Sequence, residues 1–253
     1  MILQGLIAAL ARASTFDNAL AYASRDADFS LTEGLRAPLL AALLDLRPDN
    51  AQALFIITAT GRESEALREN LGCFATSAEI VDFPAWETLP HERLSPSAEI
   101  VGKRLHALRR MREWQEADPA SRHPLIVVAS VRAALQPVAD NLTDYEPIEL
   151  LVGARGHDLA AIALQLVNLA YARVDMVTRR GEFAVRGGIL DVFPPVASHP
   201  YRVEFFGDEV EQIRLFSVAD QRSLPEPVTS VSLPPSRELL LSPAVRPAPR
   251  RRR

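Results

Sequence analysis

The segment Tyr201–Phe206, with the sequence YRVEFF, carries the residues of this chain best suited to binding a partner. Side chains alternate between the two faces of a β-strand, so Arg202, Glu204 and Phe206 would share one face and the apolar residues between them the other. A strand that only needed to be hydrated would carry Lys, Thr or Glu at such positions. Because arginine and aromatic side chains dominate the binding energy of protein interfaces, the spacing predicts a protein-binding face.

Other residues capable of chemistry form no catalytic or metal-binding pattern. The five histidines are scattered without an i, i+4 pair, and the single cysteine, Cys73, cannot form a thiolate cluster, so a zinc site has no support. The pair Asp208 and Glu209 follows an apolar strand, as a metal-binding acidic motif would, but Gly207 before it favours a hairpin turn. We therefore expect no catalytic residue and no bound metal.

A predicted helix at residues 96–116 is rich in cations and offers a second kind of binding chemistry. Its candidate DNA contacts are Lys103, Arg104 and Arg110, because cations on a solvent-facing helix can neutralise phosphates. Glutamates are spaced four residues from several of these cations, so a solvated face of ion pairs is the alternative. The net charge of −4 argues against non-specific duplex binding as the main role.

The first part of the chain, residues 1–144, has the pattern of an α/β domain. Helical periodicity covers residues 1 to about 23 and residues 29–46. Three short apolar strands follow, at residues 54–59, 80–83 and 125–130. Since helical segments separate these strands, we predict a parallel sheet with helices on its faces.

From residue 145 the pattern changes to that of a smaller α+β domain, which we expect to end near residue 235. A strand and one amphipathic helix, at residues 158–171, lead into a β-meander. The remaining residues, 236–253, are a short return segment and an Arg-rich tail without periodicity, which predicts disorder. No stretch approaches eighteen uncharged apolar residues and no disulfide is possible, so we expect a cytoplasmic protein without a membrane anchor.

Several motifs resemble one protein family. RGEFAVRGGILDVFP at residues 180–194 and YRVEFFGDEVEQIR at 201–214 resemble the UvrA-interaction domain shared by the excision-repair protein UvrB and the bacterial transcription-repair coupling factors, the Mfd family. FPAWETLPHERLSP at 83–96 and SVADQRSL at 217–224 resemble the Mfd family and not UvrB. The similarity extends from about residue 53 to about residue 241.

The resemblance implies roles for the predicted binding face. In this family the domain docks onto UvrA, and the contact positions match Arg186, Arg202 and Phe206, with Glu204 beside them on the same predicted strand face. The alternative is structural: Phe206 would pack beneath a proline loop and the arginines would pair with Glu204 and Glu182.

The resemblance also implies that the first domain is a degenerate, incomplete RecA-like domain. A working phosphate loop needs several glycines, a lysine for the phosphates and a hydroxyl for Mg²⁺. The corresponding stretch is Ser30–Ala37, which has Gly34 alone, Arg36 as its only cation, and Ala37 about where the hydroxyl would be. We therefore expect no nucleotide cofactor in this chain.

In the family, the chain continues into an RNA-polymerase-binding domain and two motor domains that use ATP and Mg²⁺ and move on double-stranded DNA. The resemblance thus implies an N-terminal fragment, which we interpret as a truncated or frame-shifted reading frame. It also implies that this fragment recruits UvrA to lesions at stalled polymerases in nucleotide excision repair. Two alternatives stay open, a UvrB-like DNA-activated ATPase or excinuclease subunit and a DNA-binding module.

Overall fold

The computed structural model describes residues 3–23, 28–45, 53–88, 94–138, 145–238, and the single residues 142 and 240. The chain forms two compact units, the first comprising Met1–Trp86 and His106–Pro137, the second Glu87–Leu105 and Val138–Arg253. The fold is mixed α/β, with one parallel sheet and two others that are wholly or mainly antiparallel. Within the described ranges, no helix combines the length and the apolar character needed to cross a membrane. The predicted Arg-rich tail lies outside the described residues.

The first unit alternates helices and strands after a helical start. Its elements are α1 (Gln4–Leu10), α2 (Ser14–Ala23), α3 (Glu33–Asp45), β1 (Ala53–Thr58), α4 (Gly61–Phe74), β2 (Glu79–Phe83), the part of α5 (Ala98–Glu116) from His106 onward, β3 (Leu125–Ser130) and α6 (Val131–Leu135). The helical segment predicted up to residue 23 is therefore two helices. The three predicted strands are present within one residue of their expected bounds.

The sheet of the first unit is parallel throughout, in the order β1-β3-β2. Every residue of β3 is buried, as its uninterrupted apolar sequence LIVVAS predicts for a central strand covered on both faces. One face packs Ile126 and Val128 against Leu71 of α4 and against α3. The opposite face packs Val127 against Ala107 of α5. The predicted α/β layering is thus present.

The stretch interpreted as a degenerate phosphate loop lies at the start of α3. Gly34 and Arg36 fall in its first turn and are exposed, whereas Ala37 is buried in the core cluster of this unit. Among residues 3–23 and 28–32, no strand precedes this helix. Within the described residues, the stretch at residues 30–37 therefore does not follow a strand, as a phosphate-binding loop would.

The second unit contains the predicted meander. Its elements after the N-terminal part of α5 are β4 (Ile148–Leu151), α7 (Leu159–Asn168), β5 (Ala172–Arg173), β6 (Glu182–Arg186), β7 (Ile189–Val192), β8 (Tyr201–Phe206), β9 (Glu209–Phe216), β10 (Ser223–Val228) and β11 (Ser230–Leu233). Strands β5 to β10 form one six-stranded sheet in sequence order, and β4 pairs with β11. Only the short β5–β6 pairing in the large sheet is parallel.

Helix α7 supplies the core on one face of the large sheet. Asp158 caps its N-terminus by accepting a hydrogen bond from the backbone N–H of Ala160. Ile162 and Leu166 are buried against strand residues that include Val203 of β8. The part of the sheet face that packs under α7 is therefore apolar.

Candidate protein-binding face

The strand register brings all four sequence-predicted binding residues to one side of the large sheet. Arg186 of β6 lies opposite Ile189 of β7, which lies opposite Glu204 of β8, so these side chains form one cross-strand row. Arg202 and Phe206 lie two residues before and after Glu204 and point the same way. We call the set Arg186, Arg202, Glu204 and Phe206 the outer face. The intervening residues of β8 pack into the core below α7.

Phe206 is the most accessible member of the outer face. Its side chain is 78% exposed at the end of β8, beside the hairpin turn at Gly207. The alternative in which Phe206 packs beneath the proline loop is therefore wrong. A large ring left in water gains about 1.5–3 kcal/mol when a partner buries it fully, so Phe206 is suited to be an apolar anchor.

Arg202 is held by a carboxylate that the sequence analysis did not identify. Its Nε and Nη2 donate to Oδ1 and Oδ2 of Asp191 at 2.7 and 2.9 Å, and its guanidinium lies 4.8 Å from the ring centroid of Phe216. The side chain of Asp191 is only 4% exposed and that of Arg202 is 20% exposed. Hydrogen bonding to Asp191 raises the pKa of Arg202, so the guanidinium is a fixed cation. Its Nη1 donates a longer hydrogen bond, of 3.4 Å, to the backbone carbonyl of Gln221, and the side chain is still partly exposed.

The ion pairs expected from sequence for the structural alternative are not those observed. Arg202 pairs with Asp191 and not with Glu204 or Glu182. The carboxylate of Glu182 accepts hydrogen bonds from the backbone N–H groups of Thr178 and Arg179, at 2.9 and 2.8 Å, and so closes the loop before β6. The period of two in β7 places Asp191 on the same side as Ile189, but the sequence carries no signal for the strand register that pairs Asp191 with Arg202.

Arg186 ends β6 at a tight glycine turn. Its Nη2 donates to the backbone carbonyl of Asp175 at 2.8 Å, and the side chain is otherwise exposed. The next residue, Gly187, has a φ of 59°, which favours glycine. A Cβ on Gly188 would lie 2.8 Å from the carbonyl oxygen of Phe205, so only glycine allows β8 to approach this closely. The close backbone approach predicted from the Gly187-Gly188 pair is thus present.

The turn at the other end of β8 is a two-residue hairpin, as its glycine predicts. Gly207 has a φ of 64°, and Glu209 begins β9. The Asp208 carboxylate accepts from the backbone N–H of Gly156, and Glu209 pairs with Arg155 at 2.7 Å. These carboxylates are therefore occupied within the protein. No cluster of three potential metal ligands occurs among the residues that the structure describes.

The structure corrects the interpretation of Arg104 as a solvent-facing DNA contact. Arg104 is fully buried within the second unit, and its Nε donates to Glu238 at 2.6 Å. Lys103, one residue earlier on α5, pairs with Glu99 at 2.9 Å. A buried guanidinium cannot reach a phosphate, so Arg104 serves the packing of this unit.

Arg110 belongs to the first unit and is also paired. Its Nη2 lies 2.6 Å from the Glu79 carboxylate, and Nη1 contacts Glu113. The hydrogen bonds from Arg110 lower the pKa of Glu79. Lys103 and Arg110 therefore match the ion-paired alternative, which the glutamate spacing had left open, whereas the buried Arg104 matches neither interpretation.

Comparison with known proteins identifies the second unit. Residues 148–239 match the family model described as the UvrB interaction domain. The match contains all four residues of the outer face and both strands that carry the Arg202–Asp191 pair.

Most of the chain is similar to several bacterial proteins named transcription-repair-coupling factor. The protein of Mycobacterium tuberculosis is 52% identical over 196 residues, which cover 76% of this chain and 16% of the relative. The proteins of Bacillus subtilis and Escherichia coli are 30% and 33% identical, over 90% and 64% of this chain. The chain thus spans about a sixth of the length of these relatives.

Proposed function

We propose that this protein recruits UvrA in nucleotide excision repair, at lesions where RNA polymerase has stalled. Residues 148–239 match the UvrB interaction domain, and the chain is related along most of its length to transcription-repair-coupling factors. The observation that carries the proposal is the outer face. It combines an exposed ring at Phe206, an oriented guanidinium at Arg202, a second cation at Arg186 and a carboxylate at Glu204. Such a combination is typical of interface hot spots.

The outer face predicts the chemistry of the surface that it contacts. Phe206 requires an apolar pocket, since burial of its ring is the largest available gain in hydrophobic free energy. Arg202 needs no reorientation on binding because Asp191 already fixes its guanidinium, which lowers the entropic cost of association. Arg186 favours a carboxylate on the partner. We therefore expect UvrA to present a hydrophobic pocket flanked by acidic groups.

The first unit is proposed to be a degenerate RecA-like domain without nucleotide chemistry. Its parallel sheet with alternating helices supports this proposal. We attribute RNA polymerase contact, translocation on double-stranded DNA, and use of ATP and Mg²⁺ to the longer relatives and not to these residues. A protein that acts together with UvrA on DNA would be located in the bacterial cytoplasm.

The direct test is a titration of Mycobacterium tuberculosis UvrA with this chain, in which binding is measured by isothermal calorimetry or fluorescence anisotropy. We expect saturable binding with a Kd of about 1 μM or tighter, as for a specific interface of moderate size. Circular dichroism must show that the chain is folded. A folded chain that does not bind UvrA would overturn the proposed function.

Parallel assays distinguish the two alternative functions. ATP hydrolysis above background by the purified chain would favour a UvrB-like ATPase. Duplex binding that falls steeply as salt rises would favour a DNA-binding module, since each phosphate contact releases counterions. The pairing of Lys103, Arg104 and Arg110 with glutamates leads us to expect no such duplex binding. The sequence has no GK[ST] motif, so we expect no ATP hydrolysis.

A further inference from the structure

A groove lies in the second unit, on the side of the large sheet covered by α7. It has a volume of about 490 Å³ and is lined by one side of α7 and by the edge of the sheet at β5 and β6. Leu164 and Val167 of α7 contribute to the lining and are 64% and 51% exposed, so their apolar surface is open to solvent. The residues of the outer face do not line this groove.

The groove adjoins a stretch of sheet edge to which no strand is paired among the described residues. Strand β5 pairs with β6 only at Glu182 and Phe183 and then ends. The carbonyl of Glu182 accepts from the backbone N–H of Phe193, the residue after β7, and the carbonyl of Phe183 accepts from the backbone N–H of Val174 on the β5 side. Because carbonyls alternate along a strand, the backbone N–H and C=O of Val185 are directed away from β7, toward the edge. Val185 and Gly187 both line the groove.

One cation is placed at the groove. Arg173, the last residue of β5, lines it and is exposed. Among the described residues, no carboxylate forms an ion pair with Arg173. An exposed backbone edge, an apolar wall and a cation together form the recognition pattern of β-augmentation, in which a peptide adds a strand to a sheet.

We propose that this groove binds an extended segment of a partner protein, which pairs with β6 at Val185, places an apolar side chain against Leu164 and Val167, and sets a carboxylate beside Arg173. Charge complementarity selects this occupant. The chain's own last residues, Arg250–Arg253, carry four cations and no acidic side chain, so Arg173 would repel them. The site lies on the α7 side of the sheet, so it can be occupied while the outer face is engaged.

The test uses two synthetic pentapeptides, Ac-EVIVE-NH2 and Ac-KVIVK-NH2, added to the 15N-labelled full chain. We expect the acidic peptide to shift the backbone amide resonances of Val185 and Gly187 and to bind about tenfold more tightly than the basic peptide. An Arg173→Glu variant should reverse that preference, and Val167→Asp should weaken binding of the acidic peptide. Both positions are exposed, so folding is expected to persist. Phe206→Ala, on the other side of the sheet, should change nothing.

Each other outcome contradicts the proposal. If neither peptide shifts these resonances at millimolar concentration in the folded wild-type chain, the groove is not a peptide site. If the two peptides bind equally, Arg173 does not select the occupant. Shifts at Val185 that depend on protein concentration without peptide would show that a second copy of the chain occupies the edge. The comparison of the two peptides uses the wild-type chain alone, so this test remains decisive even if a variant fails to fold.

Discussion

Arg202 and Asp191 lie opposite each other on the antiparallel strands β8 and β7 and are joined by two nearly parallel hydrogen bonds of 2.7 and 2.9 Å. The carboxylate is buried, whereas the guanidinium is partly exposed. The residue proposed to contact UvrA is thus also the partner that neutralises a charge inside the domain. Its substitution must therefore change stability as well as binding.

Arg202→Ala should lower the free energy of unfolding by roughly 3 kcal/mol, because it leaves the buried Asp191 carboxylate without its countercharge. Urea denaturation monitored by circular dichroism measures the change. Arg179→Ala, at an exposed arginine of the loop before β6, is the matched control and should have little effect. A loss below about 0.5 kcal/mol in Arg202→Ala would show that the pair has no structural role.

Phe206→Ala tests the binding face without the change in stability expected for Arg202→Ala. Because the ring is exposed, the substitution should leave the free energy of unfolding unchanged within about 0.5 kcal/mol. It should weaken UvrA binding about thirtyfold, the effect of losing a hot spot of about 2 kcal/mol. Phe29→Ala, at an exposed phenylalanine of the first unit, serves as the control in the same titration. Equal affinities for wild type and Phe206→Ala would remove Phe206 from the interface.

Gly188→Ala should destabilise the second unit by about 1–3 kcal/mol. The added Cβ would lie 2.8 Å from the Phe205 carbonyl oxygen, so the strands β7 and β8 must separate to accommodate it. Gly72→Ala in α4 is the control, since a Cβ there meets no atom within 4 Å and alanine favours a helix. Thermal denaturation compares the two variants, and an unchanged melting temperature in Gly188→Ala would contradict the close approach.

The Glu79–Arg110 pair should make the stability of the first unit slightly dependent on pH in the acidic range. Hydrogen bonding to Arg110 lowers the pKa of folded Glu79, so the stabilisation is present above the ordinary glutamate pKa of 4.5 and is lost as the pH falls through the lower folded value. Both side chains are about one third exposed, so solvent screening should keep the effect below about 1 kcal/mol. Urea midpoints from pH 6 to pH 3 should fall less steeply in Glu79→Gln than in wild type.

Glu65→Gln provides the comparison for that measurement, because Glu65 is an exposed glutamate of α4 in the same unit. It should follow the wild-type profile. If Glu79→Gln has the same acid profile as wild type, the ion pair does not contribute to the pH dependence.

Local patterns predicted the elements and the face directions of the second unit, but not the partners of its charged groups. The period of two in residues 201–206 placed Arg202 and Phe206 on one side correctly, since the pleat of a strand is a local property. Asp191 was missed as the partner of Arg202 because β7 and β8 are joined by eight residues without a short hairpin signature, so their register could not be predicted.

Helical periodicity also misplaced Arg104. Val101 and Leu105 of α5 are buried, and Arg104 is buried beside them. Its burial depends on Glu238, 134 residues further along the chain, and no helical pattern contains that information. The break between α1 and α2 was missed for a related reason, since no glycine or proline marks residues 11–13.

The Arg104–Glu238 pair has a consequence for synthesis on the ribosome. Translation at about 5–20 residues per second separates the emergence of its two members by roughly ten seconds. Helix α5 must therefore be synthesised well before its ion pair can form. Elements such as the β8–β9 hairpin need no distant strand and can form as they emerge, so the contact that encloses the guanidinium forms after them.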